Sequence, residues 1–253
     1  MNVLVVLSVI LFILMVWVGG NQGARSFISL FFNFGVLLIA IFFMLDHHLN
    51  PILITMIACA VSSCINLFFI NEFNRKTITA FISTLITIVI LLIFIDIVAS
   101  MAMIQGFGKE QLQELAPYSL YIGVDFVKIG VAVIIISTIG GITEVAISIT
   151  SSMEEMLNHH PSIGRKELFL SGLRVGKDIL GTDTNTLFFA FFGSYMALLI
   201  WFKDLHYSIG KIVNSKIFSA EMITIFCAGI GIALIIPIAS GINAYFSVKT
   251  KER

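Results

Sequence analysis

Charge is what this chain has least of. Charged residues make up 12% of it, about half the share that a soluble domain keeps on its surface. With 58% hydrophobic residues, the composition excludes a water-soluble globular domain and points to an integral membrane protein. Cysteine is nearly as scarce. Cys59, Cys64 and Cys227 all fall in apolar runs and lack CxxC spacing, which argues against a disulfide framework or a zinc site and leaves them as small packing residues. Basic and acidic residues balance at 15 each, so no net field recruits nucleic acid. A phosphate-binding loop is missing, as is any Ser, His and Asp set with spacing suited to nucleophilic catalysis, so neither an enzyme nor a cofactor is expected. His47 and His48, like His159 and His160, are neighbours that cannot share a helix face, and no metal site is expected from them.

What the chain does have is long apolar runs. The hydrocarbon core of a bilayer is about 30 Å thick and a helix rises about 1.5 Å per residue, so about 20 apolar residues cross it. Such runs predict an all-α, polytopic membrane helix bundle of about seven spans, near 2–18, 27–45, 51–70, 78–103, 121–149, 179–202 and 220–247. The first run, VLVVLSVILFILMVWV, has no basic region before it and no small-residue cleavage pattern before GGNQG, so it is expected to stay as a span. Pro51 suits the first turn of a helix, and Pro237 is expected to kink the last one. No internal repeat, low-complexity tract or linker divides the chain, which reads as one transmembrane domain over 1–253.

Lys and Arg concentrate on the cytoplasmic side of membrane proteins. Alternating the loops puts Arg25, Arg75, Lys76, Arg165, Lys166, Arg174, Lys177, Lys249, Lys251 and Arg253 on one side, and Lys109, Lys203, Lys211 and Lys216 on the other. Ten against four predicts an outside amino terminus and a cytoplasmic carboxyl terminus.

Polar residues inside the spans are the candidate functional groups. At 100° per residue, Ser137, Gly141, Glu144, Ser148, Ser151 and Glu155 fall within an arc of about 80°. Arg174, Asp178, Thr182 and Asn185 form a second stripe, with Gly181 beside it, in GKDILGTDTNTLFFAFFGS and the turn before it. A carboxylate facing lipid at mid-depth costs about 2.5–3.5 kcal/mol. The two stripes are therefore expected to face each other or to line one aqueous cleft in the cytoplasmic half, with 150–177 as the cytoplasmic connection between them. The second stripe is expected at the start of its helix, where free N–H groups are available. Asp183, about 140° from Asp178, falls off that stripe. Ser, Thr and Gly are also ordinary adhesive between membrane helices, and that reading stands beside the functional one. Nearer the outer face, Asp96 and Lys128 are expected at overlapping depth as a charge pair, structural or gating.

Two stretches, GGITEVAISITSSMEEM (140–156) and SGLRVGKDILGTDTNTLFFAFFG (171–193), resemble the YibE/F family of bacterial membrane proteins, more closely its shorter YibF type. The specific likeness runs from about Gly106, and 106–193 holds the motif region. The resemblance maps Gly141, Glu144, Ser148, Ser151, Ser152, Asp178, Gly181, Thr182, Asn185 and Thr186 onto the family motif. Glu144 stands where aspartate is expected, and Asp183 where an uncharged residue is expected. The resemblance implies a multi-pass protein of the bacterial inner membrane with a YibE-like partner or a homo-oligomer. The reading that follows is a transporter or permease subunit for a small polar solute or ion. Glu144, Ser148, Asp178, Thr182 and Asn185 would form its binding site, and a nontransporting membrane scaffold is the alternative.

Overall fold

The computed structural model describes residues 2–46, 48–104, 106 and 125–249. His47, Lys109, Lys251, Arg253, most of the expected loop 105–120 and the start of the expected span at 121 lie outside the described residues. The described chain is helical throughout its long elements, and no strand occurs among the described residues.

The first helix, α1 (Val3–Met44), begins at Asn2, whose side chain accepts from the Leu4 N–H. It is not one rod. At Gly20 the backbone takes φ 54° and ψ −135°, a region open in practice only to glycine. The Phe12 and Phe27 rings lie 5.0 Å apart, whereas fifteen residues of straight helix would separate them by about 22 Å. A Cβ at Gly23 would collide with the Met15 carbonyl. The chain thus folds back on itself, and its arms, 3–19 and 21–44, are the first two expected spans. The connection is tighter than the expected GGNQGARS loop, because one glycine makes the turn and helix resumes at once.

Asn50 caps α2 (Pro51–Cys64), with Pro51 in the first turn as expected, and the helix runs on through a π-helical turn, Ile65–Phe69. A reciprocal Asn74–Thr77 capping box starts α3 (Arg75–Ala102). Asp125 accepts from the N–H groups of Val127 and Lys128 to start α4 (Phe126–His159). Then come α5 (Arg165–Asp204), the short α6 (Ile209–Val213) and α7 (Lys216–Lys249). Six of these helices are long and apolar enough to cross a membrane. With α1 doubled back, they supply seven crossing segments. Pro237 lies inside α7 without ending it.

The stretch 150–177 is not the connection expected from the sequence. It is helical except at 160–164. Both helices keep an apolar or small packing position every turn, with Met153, Leu157, Leu168, Gly172 and Gly176 buried, so the helical period outlasts the apolar run.

At the centre sits α4, packed on α3 and α7 and flanked by α2 and α5. Ile142, Val145 and Ile149 are fully enclosed with Ile88, Leu91, Ile232 and Ile235. Lipid tails are as apolar as isoleucine, so close fit rather than desolvation holds these helices together. At Gly231 a Cβ would stand 2.9 Å from Ile142 Cδ1 and 3.1 Å from Leu91 Cδ2. Glycine there lets three helices meet.

Polar contacts gather the connections at one end. Gln22 donates to Asn71 at 2.9 Å and Arg25 to Glu72 at 2.9 Å, joining the α1 turn to the α2–α3 connection. Arg75 and Lys76 line a cavity of about 350 Å³ with Ser151, Glu154 and Asn158 at the end of α4.

Candidate functional site

Glu144 lies near the midpoint of α4, and its side chain is exposed while Thr143, Val145 and Ala146 around it are buried. Ser137, Gly140 and Glu155 on the same face are exposed, and Ser148 and Ser151 are half-buried. On α5, Arg174, Asp178, Gly181, Thr182 and Asn185 are all exposed. Asn185, with Thr184 and Phe188, edges a groove of about 560 Å³ against Ile225, Phe226 and Gly229 of α7.

Both stripes therefore exist as surfaces, but the structure does not close them on each other. Among the described residues no hydrogen bond joins Glu144 or Ser148 to Asp178, Thr182 or Asn185. The cause is how each helix packs. The arc of α4 opposite Glu144 fills the core, and α5 turns its small residues toward α7. A Cβ at Gly172 would stand 2.6 Å from Ser240 Oγ and from Met153 Sδ, and one at Gly176 would strike Ile236. The expected common crevice is replaced by two faces that look out of the bundle.

The faces share a depth. Isoleucine 232 of α7 reaches within 3.4 Å of a Cβ built on Gly141, and Thr184 within 3.4 Å of one built on Gly229. Three residues of α7 separate these contacts and three of α4 separate Gly141 from Glu144, about 9 Å of rise in all; because α5 runs opposite to both, Glu144 lies level with about Asp178, with Thr182 and Asn185 one to two turns beyond it. The α5 stripe, however, is not at a helix start. Arg165 begins the helix, which puts Asp178 more than three turns inside, where backbone N–H groups are already paired. Asp183 leaves the stripe as expected and is half-buried.

The expected Asp96–Lys128 pair is not formed. Lys128 Nζ lies 3.2 Å from Asp125, one turn back on its own helix, while Asp96 is exposed on α3. The i, i+3 neighbour is nearer than a carboxylate on another helix. His159 bonds Glu155 at 3.0 Å, and no group of three metal-ligating side chains occurs among the described residues.

A second polar set escaped the sequence reading. Asn243 is fully buried; it donates to the Thr150 carbonyl at 3.4 Å and accepts from Ser247 at 2.8 Å and Thr79 at 3.5 Å. Ser63 meets Thr143 at 3.5 Å, and Tyr195 donates to Glu221 at 2.7 Å. The hydroxyls of Thr84 and Ser240 are buried without a partner. The signal was present as Ser240, Asn243 and Ser247 at i, i+3, i+7 on α7, and as Thr79, Ser83 and Thr87 at i, i+4, i+8 on α3. Thus the inward polarity of the bundle is mainly a hydroxyl and amide seam between α3, α4 and α7, while Glu144 and Asp178 face outward.

Long apolar helices, a tight core and polar faces at mid-span define a multi-pass helical membrane protein. The chain belongs to the YibE/F-like protein family, which it matches over residues 7–249. That match takes in the early spans as well as the motif region from Gly106 onward. Comparison with the curated proteins and with the solved structures gives no match.

Proposed function

We propose that the protein is a subunit of a transporter or permease in the bacterial inner membrane, with its amino terminus outside. It moves a small polar solute or ion along the outward faces of α4 and α5. Glu144 takes a proton or cation, Asp178 lies at the same depth on α5, and Ser148, Thr182 and Asn185 offer hydrogen bonds. A further membrane subunit covers these faces, and the transported species passes between the two. The reading is transport rather than catalysis.

One observation carries this reading. Glu144 is exposed near the midpoint of an apolar helix, where lipid contact would cost about 2.5–3.5 kcal/mol. Packing within the chain does not explain it, since the core lies on the opposite arc. The shared end of Arg25, Arg75 and Lys76 supports a cytoplasmic position for that end, because basic residues favour that side. A nontransporting scaffold that holds another protein by the same faces is the second reading, favoured by the absence of a closed cleft between Glu144 and Asn185 among the described residues.

Glu144→Gln separates the two. Cells lacking the native protein and expressing the variant would lose solute uptake or efflux while assembly is retained if Glu144 titrates during transport. Weakened partner capture with unchanged solute profiles would support the scaffold. If Gln alters neither, Glu144 has no such role.

A further inference from the structure

We propose that the groove between the start of α3 and the end of α7 binds an anionic phospholipid, with the headgroup phosphate on Arg75 and one acyl chain along Ile78 and Ile82. The inference goes beyond the transport reading and needs only that this end of the bundle lie at a bilayer surface. It is tested without a transport assay, so its failure and the failure of that reading are separate results.

A cavity of about 170 Å³ opens there, lined by Arg75, Ile78, Thr79, Ile82, Phe246 and Ser247. Its lining is graded. Arg75, the first residue of α3, is exposed at the rim, Ile78 and Ile82 are half-buried along the wall, and Phe246 is exposed on the α7 side. Thr79 and Ser247 are buried. Both hydroxyls donate within the bundle, Thr79 to the α3 backbone or Asn243 and Ser247 to Asn243, so neither has a hydrogen left for a ligand. What remains is one cation above an apolar slot. A free phosphate would use only the arginine and an apolar solute only the slot, whereas a phospholipid uses both.

The slot leads into the membrane. Ile78, Ile82, Ile86 and Val89 recur at i, i+4, i+8 and i+11 on the arc of α3 that Arg75 begins, and Ile86 and Val89 are exposed. Eleven residues rise about 16 Å. That is the depth of one leaflet in a hydrocarbon core about 30 Å thick, so the track suits a single acyl chain.

Charge selects the headgroup. Among the described residues Arg75 has no ion-pair partner. Of the acids around it, Glu72 holds Arg25 at 2.9 Å, Glu155 holds His159 at 3.0 Å, and Glu154 forms no ion pair with it. Arg165 of α5 stands 5.6 Å over the ring of Tyr245, which meets Phe246 edge-on at 5.5 Å. Two arginines thus flank an aromatic pair at the end of a crossing helix. Such rings and basic pockets between helices are where proteins engage lipid headgroups.

Full-length protein carrying Trp17→Phe, Trp201→Phe and Phe246→Trp has one tryptophan, and it lies at the slot. It is reconstituted into phosphatidylcholine vesicles holding the same small fraction of either dibrominated phosphatidylglycerol or dibrominated phosphatidylcholine, whose bromines quench tryptophan on contact. One arginine at the surface favours the anionic lipid about fivefold, so much stronger quenching by the brominated phosphatidylglycerol is expected. Arg75→Gln is expected to remove the preference and Arg75→Lys to keep it. With Arg75 in place, NaCl at about 1 M, which screens exposed charges beyond about 3 Å, is expected to collapse it, a measurement that holds even if Arg75→Gln does not fold. A tryptophan placed instead by Leu7→Trp, on the bare first arm, is expected to show no preference. Equal quenching at the slot by the two lipids overturns the proposal. So does a preference that survives Arg75→Gln or high salt, or one that Leu7→Trp shows as strongly.

Discussion

Asn33 of the second α1 arm donates to Asn66 at 2.7 Å, and Asn66 sits in the π-helical turn that ends α2. A π turn widens the helix by one residue and re-aims the side chains on it. Here it places the Asn66 amide against the Asn33 amide of the second α1 arm. The first hairpin is thereby tied to the rest of the bundle at membrane depth.

Asn66→Leu removes this tie and leaves Asn33 without its acceptor. Interhelical hydrogen bonds in membrane proteins are worth about 0.6 kcal/mol on average and about 1.7 at most, so a loss of about 1 kcal/mol is expected. Unfolding in mixed micelles measures it. The double variant Asn33→Leu with Asn66→Leu should recover part of the loss, since no amide is then stranded. A double variant less stable than the single would refute the pairing.

Asn243 predicts a larger effect. It is fully buried and engages Thr79, Thr150 and Ser247 on three helices. Replacement by leucine strands the Ser247 hydroxyl and overfills a site shaped for an amide, and a buried polar group without its partner costs about 1–3 kcal/mol. We expect Asn243→Leu to destabilise the fold by that amount and Asn185→Leu, exposed on α5, to leave the melt of the isolated chain unchanged. Equal losses at both positions would contradict the placement of the polar seam.

Asn243 and Asn185 also show how much was legible in the sequence. The number of spans and the membership of both outward stripes followed from apolar run length and helical period, which are local properties of the chain. The direction in which Glu144 points did not. A helical period groups side chains on one face but is blind to what lies opposite, and the cost of lipid contact was assumed to turn that face inward within one chain. Packing decided otherwise, because Gly172 and Gly176 draw α5 onto Ser240 and Ile236 of α7. The Asp96–Lys128 pair failed for a related reason: Asp125, on the same helix, reaches Lys128 first. The seam around Asn243 was overlooked because hydroxyls spaced by one turn do little to interrupt an apolar run.

The reversal at Gly20 gives a distance test. Cysteines replacing Phe12 and Phe27, whose rings are 5.0 Å apart, should be joined by a short bis-maleimide within a single chain in a cysteine-free background. A continuous helix would hold them about 22 Å apart and give no intramolecular product. Gly20→Val adds a β-branched side chain where φ is 54°, a strain of about 1–3 kcal/mol. It should reduce the cross-linked fraction. If Gly20→Val leaves that fraction unchanged, the turn does not depend on the left-handed backbone.

Two glycines five residues apart on α5, and so on different faces of it, separate internal packing from an outward role. At Gly176 a Cβ strikes Ile236 of α7, whereas at Gly181 it meets open space. Overpacking a tight helix contact typically costs about 1–3 kcal/mol, and α5 depends on that contact because so little else of it is buried. Gly176→Val should therefore lower the unfolding midpoint of the purified chain and loosen α5, seen as faster labelling of a cysteine placed at the buried Leu168. Gly181→Val should alter neither reading in detergent, and valine's helix propensity, better than that of glycine, would raise the midpoint if it moved it at all. A Gly181→Val chain as damaged as the Gly176→Val chain would mean that α5 turns a different face to the bundle, and the outward positions of Asp178, Thr182 and Asn185 would go with it.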